Sequence, residues 1–239
     1  MRTTVEASSS NLGQALFNDK VAFPVLEDLH IRSCELKYMF SPTTARGHPQ
    51  LQDLTIEWCE GMENIVENDE EVKEKIIFHQ LKKMTLQYLP NLRSFYDSTK
   101  MRTTVEASSS SLGQAFFNDK VAFPVLEDLH IRSCELKYMF SPTTARGHPQ
   151  LQDLTIEWCE GMENIVENDE EVKEKIIFHQ LKKMTLQYLP NLRSFYDSTK
   201  MRTTVEASSS NLGQALFNDK VEFPCLEGLC IETLDKGRE

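Results

Sequence analysis

Residues 1–100 recur at 101–200 with two changes, Asn11 to Ser111 and Leu16 to Phe116; a third copy opens at Met201 and leaves the pattern after Ile231. A chain built from near-identical copies cannot be one compact core with a unique active site. It has to be an array in which whatever surface one copy offers is offered again by the next.

Each block of a hundred contains three shorter echoes. They are Leu26-Glu27-Asp28-Leu29-His30-Ile31-Arg32-Ser33-Cys34, Leu51-Gln52-Asp53-Leu54-Thr55-Ile56-Glu57-Trp58-Cys59 and Leu81-Lys82-Lys83-Met84-Thr85-Leu86-Gln87-Tyr88-Leu89. The series restarts at Leu126, Leu151, Leu181 and Leu226, giving seven starts separated by 25, 30 and 45 residues, then 25, 30 and 45 again. All fit L-x-x-L-x-L-x-x-(N/C/L), the leucine-rich-repeat pattern. In Leu54-Thr55-Ile56 apolar residues alternate with a polar one, the period of a strand with one buried face. Leu51, Met62 and Ile65 turn inward from the rest of the coil. One coil cannot bury these residues alone, so coils stack and their strands pair in parallel at about 4.8 Å per step. The expected fold is α/β: a leucine-rich-repeat solenoid of seven coils, a curved horseshoe with parallel strands on its concave face and short helical or irregular segments on its convex side.

The expected organisation follows from composition along the chain. Residues 1–22 read as a partial polar insertion leading into the repeats, 23–96 as coils 1–3, and 97–122 as a polar flexible insertion containing the run Ser108 to Ser111. Residues 123–196 read as coils 4–6, 197–222 as another polar flexible insertion, and 223–239 as a truncated seventh coil. Order is expected to resume at Val121-Ala122-Phe123-Pro124. Ser41-Pro42-Thr43-Thr44-Ala45-Arg46-Gly47 predicts one helical turn, with Ser as N-cap, Pro at the first position and Gly after the end. The charged stretch Glu67 to Lys75 reads as a solvated convex loop or short helix. Met1 has counterparts at Met101 and Met201, so it reads as an internal methionine of a longer reading frame.

With 40% apolar residues the chain has material for a real core. Its net charge of −11 lacks the phosphate-neutralising surface on which nucleic-acid affinity rests, so nucleic acid is not the expected partner. No apolar run approaches the ~20 residues of a membrane span. There is no signal-like hydrophobic core and no Asn-x-Ser/Thr sequon, and the six cysteines are spread thinly. The expected location is cytoplasmic.

The coil sequences resemble the leucine-rich repeats of plant coiled-coil nucleotide-binding leucine-rich-repeat disease-resistance proteins. The residues that carry the likeness are Phe23-Pro24-Val25-Leu26-Glu27-Asp28-Leu29, Leu36-Lys37-Tyr38-Met39-Phe40-Ser41-Pro42, Cys59-Glu60-Gly61-Met62-Glu63-Asn64-Ile65-Val66 and Leu89-Pro90-Asn91-Leu92-Arg93-Ser94-Phe95-Tyr96. Cys34-Glu35-Leu36 departs from the second coil's turn by one missing residue. The resemblance implies a repeat region that recognises pathogen-derived or guarded host proteins and restrains a neighbouring nucleotide switch. No G-x-x-x-x-G-K-[ST] occurs, so no cofactor is expected in this chain, and nucleotide binding in such receptors belongs to a domain outside it.

Residues of the strands that alternate with the leucines point off the concave face and are the candidate protein-binding positions. They are His30, Arg32, Glu57, Thr85, Gln87, His130, Arg132, Glu157 and Gln187, followed beyond the strands by Trp58, Tyr88, Trp158 and Tyr188. Amphipathic aromatics beside Arg are enriched in binding hot spots. The alternative is that these rings cover the strand edges and turn of their own coil. Cys34, Cys59, Cys134 and Cys159 are expected to be buried in the turn after the strand, without a lasting disulfide. Cys59 and His79 are a formal nucleophile–base pair, but nothing in the spacing joins them, and neither catalysis nor a metal site is expected. The leading expectation is a non-catalytic recognition module of a plant immune receptor. The alternatives are a leucine-rich substrate adaptor of the ubiquitin-ligase type and a receptor fragment without function.

Overall fold

The computed structural model describes residues 2–5 (backbone only), 15–17, 23–46, 48, 50–68, 74–97, 115–168, 174–197 and 215–232. In chain order the elements are β1 (Arg2–Val5), β2 (Asp28–Arg32), α1 (Pro42–Arg46), β3 (Asp53–Glu57), β4 (Asn64–Val66), β5 (Ile76–Ile77), β6 (Lys83–Leu89) and β7 (Ser94–Tyr96). They continue with β8 (Val121–Ala122), β9 (Asp128–Cys134), β10 (Tyr138–Phe140), α2 (Pro142–Arg146), β11 (Asp153–Glu157), β12 (Asn164–Val166) and β13 (Ile176–Ile177). The series closes with β14 (Lys183–Gln187), β15 (Ser194–Tyr196), β16 (Val221–Glu222) and β17 (Gly228–Glu232).

One eight-stranded parallel sheet runs β1-β2-β3-β6-β9-β11-β14-β17, always in the direction of the chain. This is the leucine-rich-repeat solenoid. Register holds equivalent residues level, with Leu29 opposite Leu54, Leu54 opposite Met84 and Met84 opposite Leu129. Two apolar rows therefore line the inner side of the sheet. Leu29, Ile31, Leu54, Ile56, Met84, Leu86, Leu129 and Ile131 are each no more than 1% exposed, and full burial of such a side chain contributes roughly 1.5–3 kcal/mol. On β17 the matching Leu229 and Ile231 are 49% and 39% exposed, because among the described residues no strand follows to cover them.

The convex side has more layers than the concave side. The peptide N–H of Phe95 donates to Phe116 O (2.9 Å), that of Phe116 to Tyr138 O (3.0 Å), and that of Phe117 to Met139 O (2.8 Å). Residues 115–117 thus form a layer of their own between β7 and β10, while β6 pairs directly with β9 on the concave side. Residues 15–17 do the same before Met39. From β2 to β9, one period of the block, the convex side therefore stacks the layers 38–40, 64–66, 94–96 and 115–117 over only three concave strands, β2, β3 and β6. At about 4.8 Å per layer the outer arc is about 19 Å against about 14 Å inside, which bends the solenoid towards its sheet.

This corrects the expected insertion at 97–122. Ala115, Phe116 and Phe117 are buried, and Val121 pairs with Ile76 in β8–β5. Asn118 closes the turn between them: its side-chain amide donates to Tyr96 O (2.7 Å) while its carbonyl accepts from Lys120 N (3.0 Å). Ordered structure resumes at residue 115 rather than 121, and the pattern repeats at 215–222. Residues 98–114, including the serine run and the Asn11/Ser111 difference's second site, lie outside the described residues, as do 6–14, 198–214 and 233–239.

The N-terminal segment also differs from expectation. Arg2–Val5 is a strand, paired in parallel with β2 from Arg2 opposite Asp28 to Val5 opposite Ile31. A β-branched Thr-Thr-Val run satisfies the otherwise unpaired edge of β2 despite its polar surroundings.

The short helices form as the sequence indicates. Ser141 caps α2, its hydroxyl accepting from Thr144 N (3.2 Å), with Pro142 first in the helix and Gly147 after it. Arg46 and Arg146 reach Glu74 and Glu174 at 3.3 and 3.2 Å. Residues 69–73 of the charged stretch lie outside the described residues.

Candidate functional site

The strand-lined face carries its polar residues in rows, held in register. His30, Thr55, Thr85, His130, Thr155, Thr185 and Cys230 form the middle row, and Arg32, Glu57, Gln87, Arg132, Glu157, Gln187 and Glu232 the next. Glu57 gathers its neighbours: its carboxylate is 3.3 Å from His30 Nε2 and 3.6 Å from Arg32 Nε. Glu157 stands 3.6 Å from both His130 and Arg132. These partly exposed polar contacts fix side-chain positions more than they add stability.

At or just past the strand ends, Ser33, Trp58, Tyr88, Ser133, Trp158 and Tyr188 all adopt φ between 52° and 58°. This left-handed region costs an L-residue roughly 1–2 kcal/mol. It persists because the sheet ladder reaches past the strand: Trp58 N donates to Gln87 O and Trp158 N to Gln187 O, both at 3.0 Å. The turn throws the aromatic side chains outward, where they stack across coils. Trp58 lies on Tyr88 with ring centroids 3.7 Å apart and planes 10° from parallel; Trp158 lies on Tyr188 at 3.8 Å and 13°. The Arg132 guanidinium then covers the far side of Tyr88, 5.8 Å from its centroid. Both tryptophans remain 45% exposed.

A family model described as plant disease resistance protein RPS2-like, leucine-rich repeats, matches residues 4–106 and 101–209. The chain belongs to that family. No curated protein and no solved structure matches it. Membership supports a protein-interaction module in plant defence, of a kind that is typically non-catalytic.

Within this RPS2-like repeat region, the expected binding positions fall into two groups. Arg32, Trp58 and Trp158 are exposed, while His30, Glu57, Gln87, Tyr88, His130, Arg132, Glu157, Gln187 and Tyr188 are half-buried on the same face. Thr85 is the exception. It is only 8% exposed, flanked by Thr55 on one strand and the long imidazole of His130 on the other. Its counterpart Thr185 has the shorter Cys230 beside it and stays half-buried.

The turn cysteines are buried and free. Cys134 Sγ donates to Arg132 O at 3.4 Å and Cys159 Sγ to Glu157 O at 3.3 Å. Each thiol thus adds a weak donor to the carbonyl of a strand-end residue. Burial pushes the Cys159 thiol up to about 12 and the Cys134 thiol well above its ordinary value, which keeps both protonated and unreactive. In the first copy Cys34 and Cys59 sulfurs are 2.7 Å apart. Cys59 is buried and His79 exposed. Among the described residues no group of three His, Cys, Asp or Glu could hold a metal, and no helix is long and apolar enough to cross a membrane.

Two features escape a reading by residue type. The Arg132–Tyr88 contact joins the two hundred-residue copies; the register of successive coils was its available signal. His48 and His148 are buried beside phenylalanines, their Nδ1 atoms 2.7 and 2.5 Å from Thr44 O and Thr144 O. They belong to the convex core rather than to the site.

Proposed function

We propose that this chain is a non-catalytic protein-recognition module of a plant intracellular immune receptor. It acts in the cytoplasm and binds a pathogen effector or a guarded host protein through its concave face. The observation that supports this reading is the pair of aromatic stacks, Trp58 on Tyr88 and Trp158 on Tyr188. A large ring held rigid on one side and open to water on the other loses little conformational freedom when a partner covers it. The surrounding His, Arg, Glu and Gln side chains supply a polar rim of the kind that surrounds interface anchors. Nucleotide binding is assigned to another domain of the receptor, for which this face is an intramolecular partner in the resting state.

The test replaces both tryptophans with serine, the residue that the first and fourth coils already hold in the same left-handed position (Ser33 and Ser133). Proximity labelling in plant tissue compares the original chain, the Trp58→Ser/Trp158→Ser variant and a convex-side Glu74→Ala variant. The concave pair of substitutions is expected to remove the labelled partner with far-UV circular dichroism unchanged, and the convex one to retain it. Loss of fold in the serine variant would instead make the rings covers for their own coils.

A further inference from the structure

Each tryptophan has one face on a tyrosine, and the residue level with it on the preceding coil is a small serine, Ser33 for Trp58 and Ser133 for Trp158. Among the described residues no ring or guanidinium covers the indole's second face, and the 45% exposure is the same in both copies. The molecule itself shows which group suits such a surface. Where a stack does continue, beyond Tyr88, its next layer is the Arg132 guanidinium. A planar cation over an aromatic face is drawn to the ring's negative quadrupole, most strongly over indole. Glu57 and Glu157, just before the two rings, are already paired with Arg32 and Arg132, so the long-range preference for a cationic partner comes from the chain's net charge of −11.

Spacing decides how many partners the two copies serve. Trp58 follows β3 and Trp158 follows β11, three steps apart in the order β3-β6-β9-β11, which is about 14 Å. A standard protein interface covers about 800 Å² on each side, roughly 30 Å across. Two such partners cannot sit side by side at this distance. One extended segment spans it in about four residues.

We infer that Trp58 and Trp158 form a single two-anchor site for one arginine-bearing protein segment, which lays a guanidinium on each open indole face. The inference rests on the concave-face reading above and deepens it by naming the partner's chemistry and its 1:1 stoichiometry. The duplication then adds a second anchor to one site rather than a second site, and the two anchors gain from each other's effective concentration.

The test uses synthetic peptides in which two arginines are separated by four prolines, an arm of about 15 Å, or by ten, about 34 Å. A third peptide carries one arginine. Because the chain has only two tryptophans, fluorescence excited at the red edge of the absorption band, where tyrosine does not absorb, reports the two anchors, and calorimetry gives the stoichiometry. The matched peptide is expected to bind 1:1, at least tenfold tighter than either other peptide. Trp58→Ser or Trp158→Ser alone should reduce it to the single-arginine level. Equal affinity for the two spacings, two peptides per chain, or no fluorescence response to any peptide overturns the inference. If the peptides show no spacing preference while the double serine variant still loses its partner in tissue, the two-anchor site falls and the recognition reading stands. If the double variant keeps its partner, the recognition reading itself falls.

Discussion

Trp58 and Tyr88 belong to successive coils, yet their ring centroids lie 3.7 Å apart with both residues in the left-handed region, at φ 58° and 56°. Side-chain stacking and backbone strain are therefore coupled at one position. Stacking of this kind is worth about 0.5–1.5 kcal/mol beyond area burial, close to the roughly 1–2 kcal/mol that the left-handed conformation costs.

Trp58→Ala and Trp58→Gly should consequently rank in an unusual order. Alanine loses the stack and keeps the strain; glycine loses the stack and the strain together. Glycine is expected to be the more stable variant by about 1 kcal/mol, as read from urea denaturation midpoints. The reverse ranking would mean that the sheet ladder alone determines φ at this turn.

The two exposures of one residue type give a second comparison. Ile131 and Ile231 occupy the same place in the coil, but Ile131 is 0% exposed and Ile231 39%. Ile131→Ala is expected to cost about 2–5 kcal/mol, the usual penalty for a truncated core residue. Ile231→Ala should cost under about 1 kcal/mol. Matching costs in denaturant titrations would show that β17 is covered in solution.

The convex layer at 115–117 predicts a third contrast. Phe116 touches Phe95 and Phe117 at centroid distances of 5.9 and 4.7 Å and is fully buried, whereas its first-copy counterpart Leu16 is half-buried. Phe117→Ala should cost about 3–5 kcal/mol. Phe116→Leu, which makes the copies alike, should cost about 1 kcal/mol because volume changes little. Thermal unfolding of the two variants measures both. A flexible insertion through residue 117 would leave either substitution silent.

How far the sequence reveals this molecule depends on which residues carry repeated physics. The strand rows are legible because Leu54-Thr55-Ile56 and its relatives fix both period and register. The helix at Ser141 is legible because capping is local. Residues 115–117 are harder: Ala115-Phe116-Phe117 is a short apolar island inside a polar stretch, and its role depends on the distant Phe95 and Tyr138. Its recurrence as Ala15-Leu16-Phe17 and Ala215-Leu216-Phe217 was the available signal. In the candidate site, Trp58 and Tyr88 could be paired from sequence because they share a position in successive coils. The left-handed backbone beneath them could not, since serine, tryptophan and tyrosine have no common preference for it.

Acid should weaken the fold through His148. Its ring is packed among Phe117, Phe123 and Phe140 with Lys75 as the nearby charge, and burial holds it down to about 4 from 6.5. The unfolded chain takes up this proton below about pH 6.5, and the folded one does so only near pH 4. The stability contributed by the neutral buried ring is present above pH 6.5 and is lost as pH falls towards 4. At pH 4.5 the loss is about 2–3 kcal/mol. His148→Leu removes the titrating group while keeping an apolar side chain against the phenylalanines. The variant starts less stable at pH 7, because Thr144 O loses its donor. Its stability should nevertheless fall less steeply between pH 7 and pH 4.5, by about that same amount. Urea titrations at the two pH values give the difference, and parallel slopes for the two proteins would show that His148 becomes protonated without unfolding.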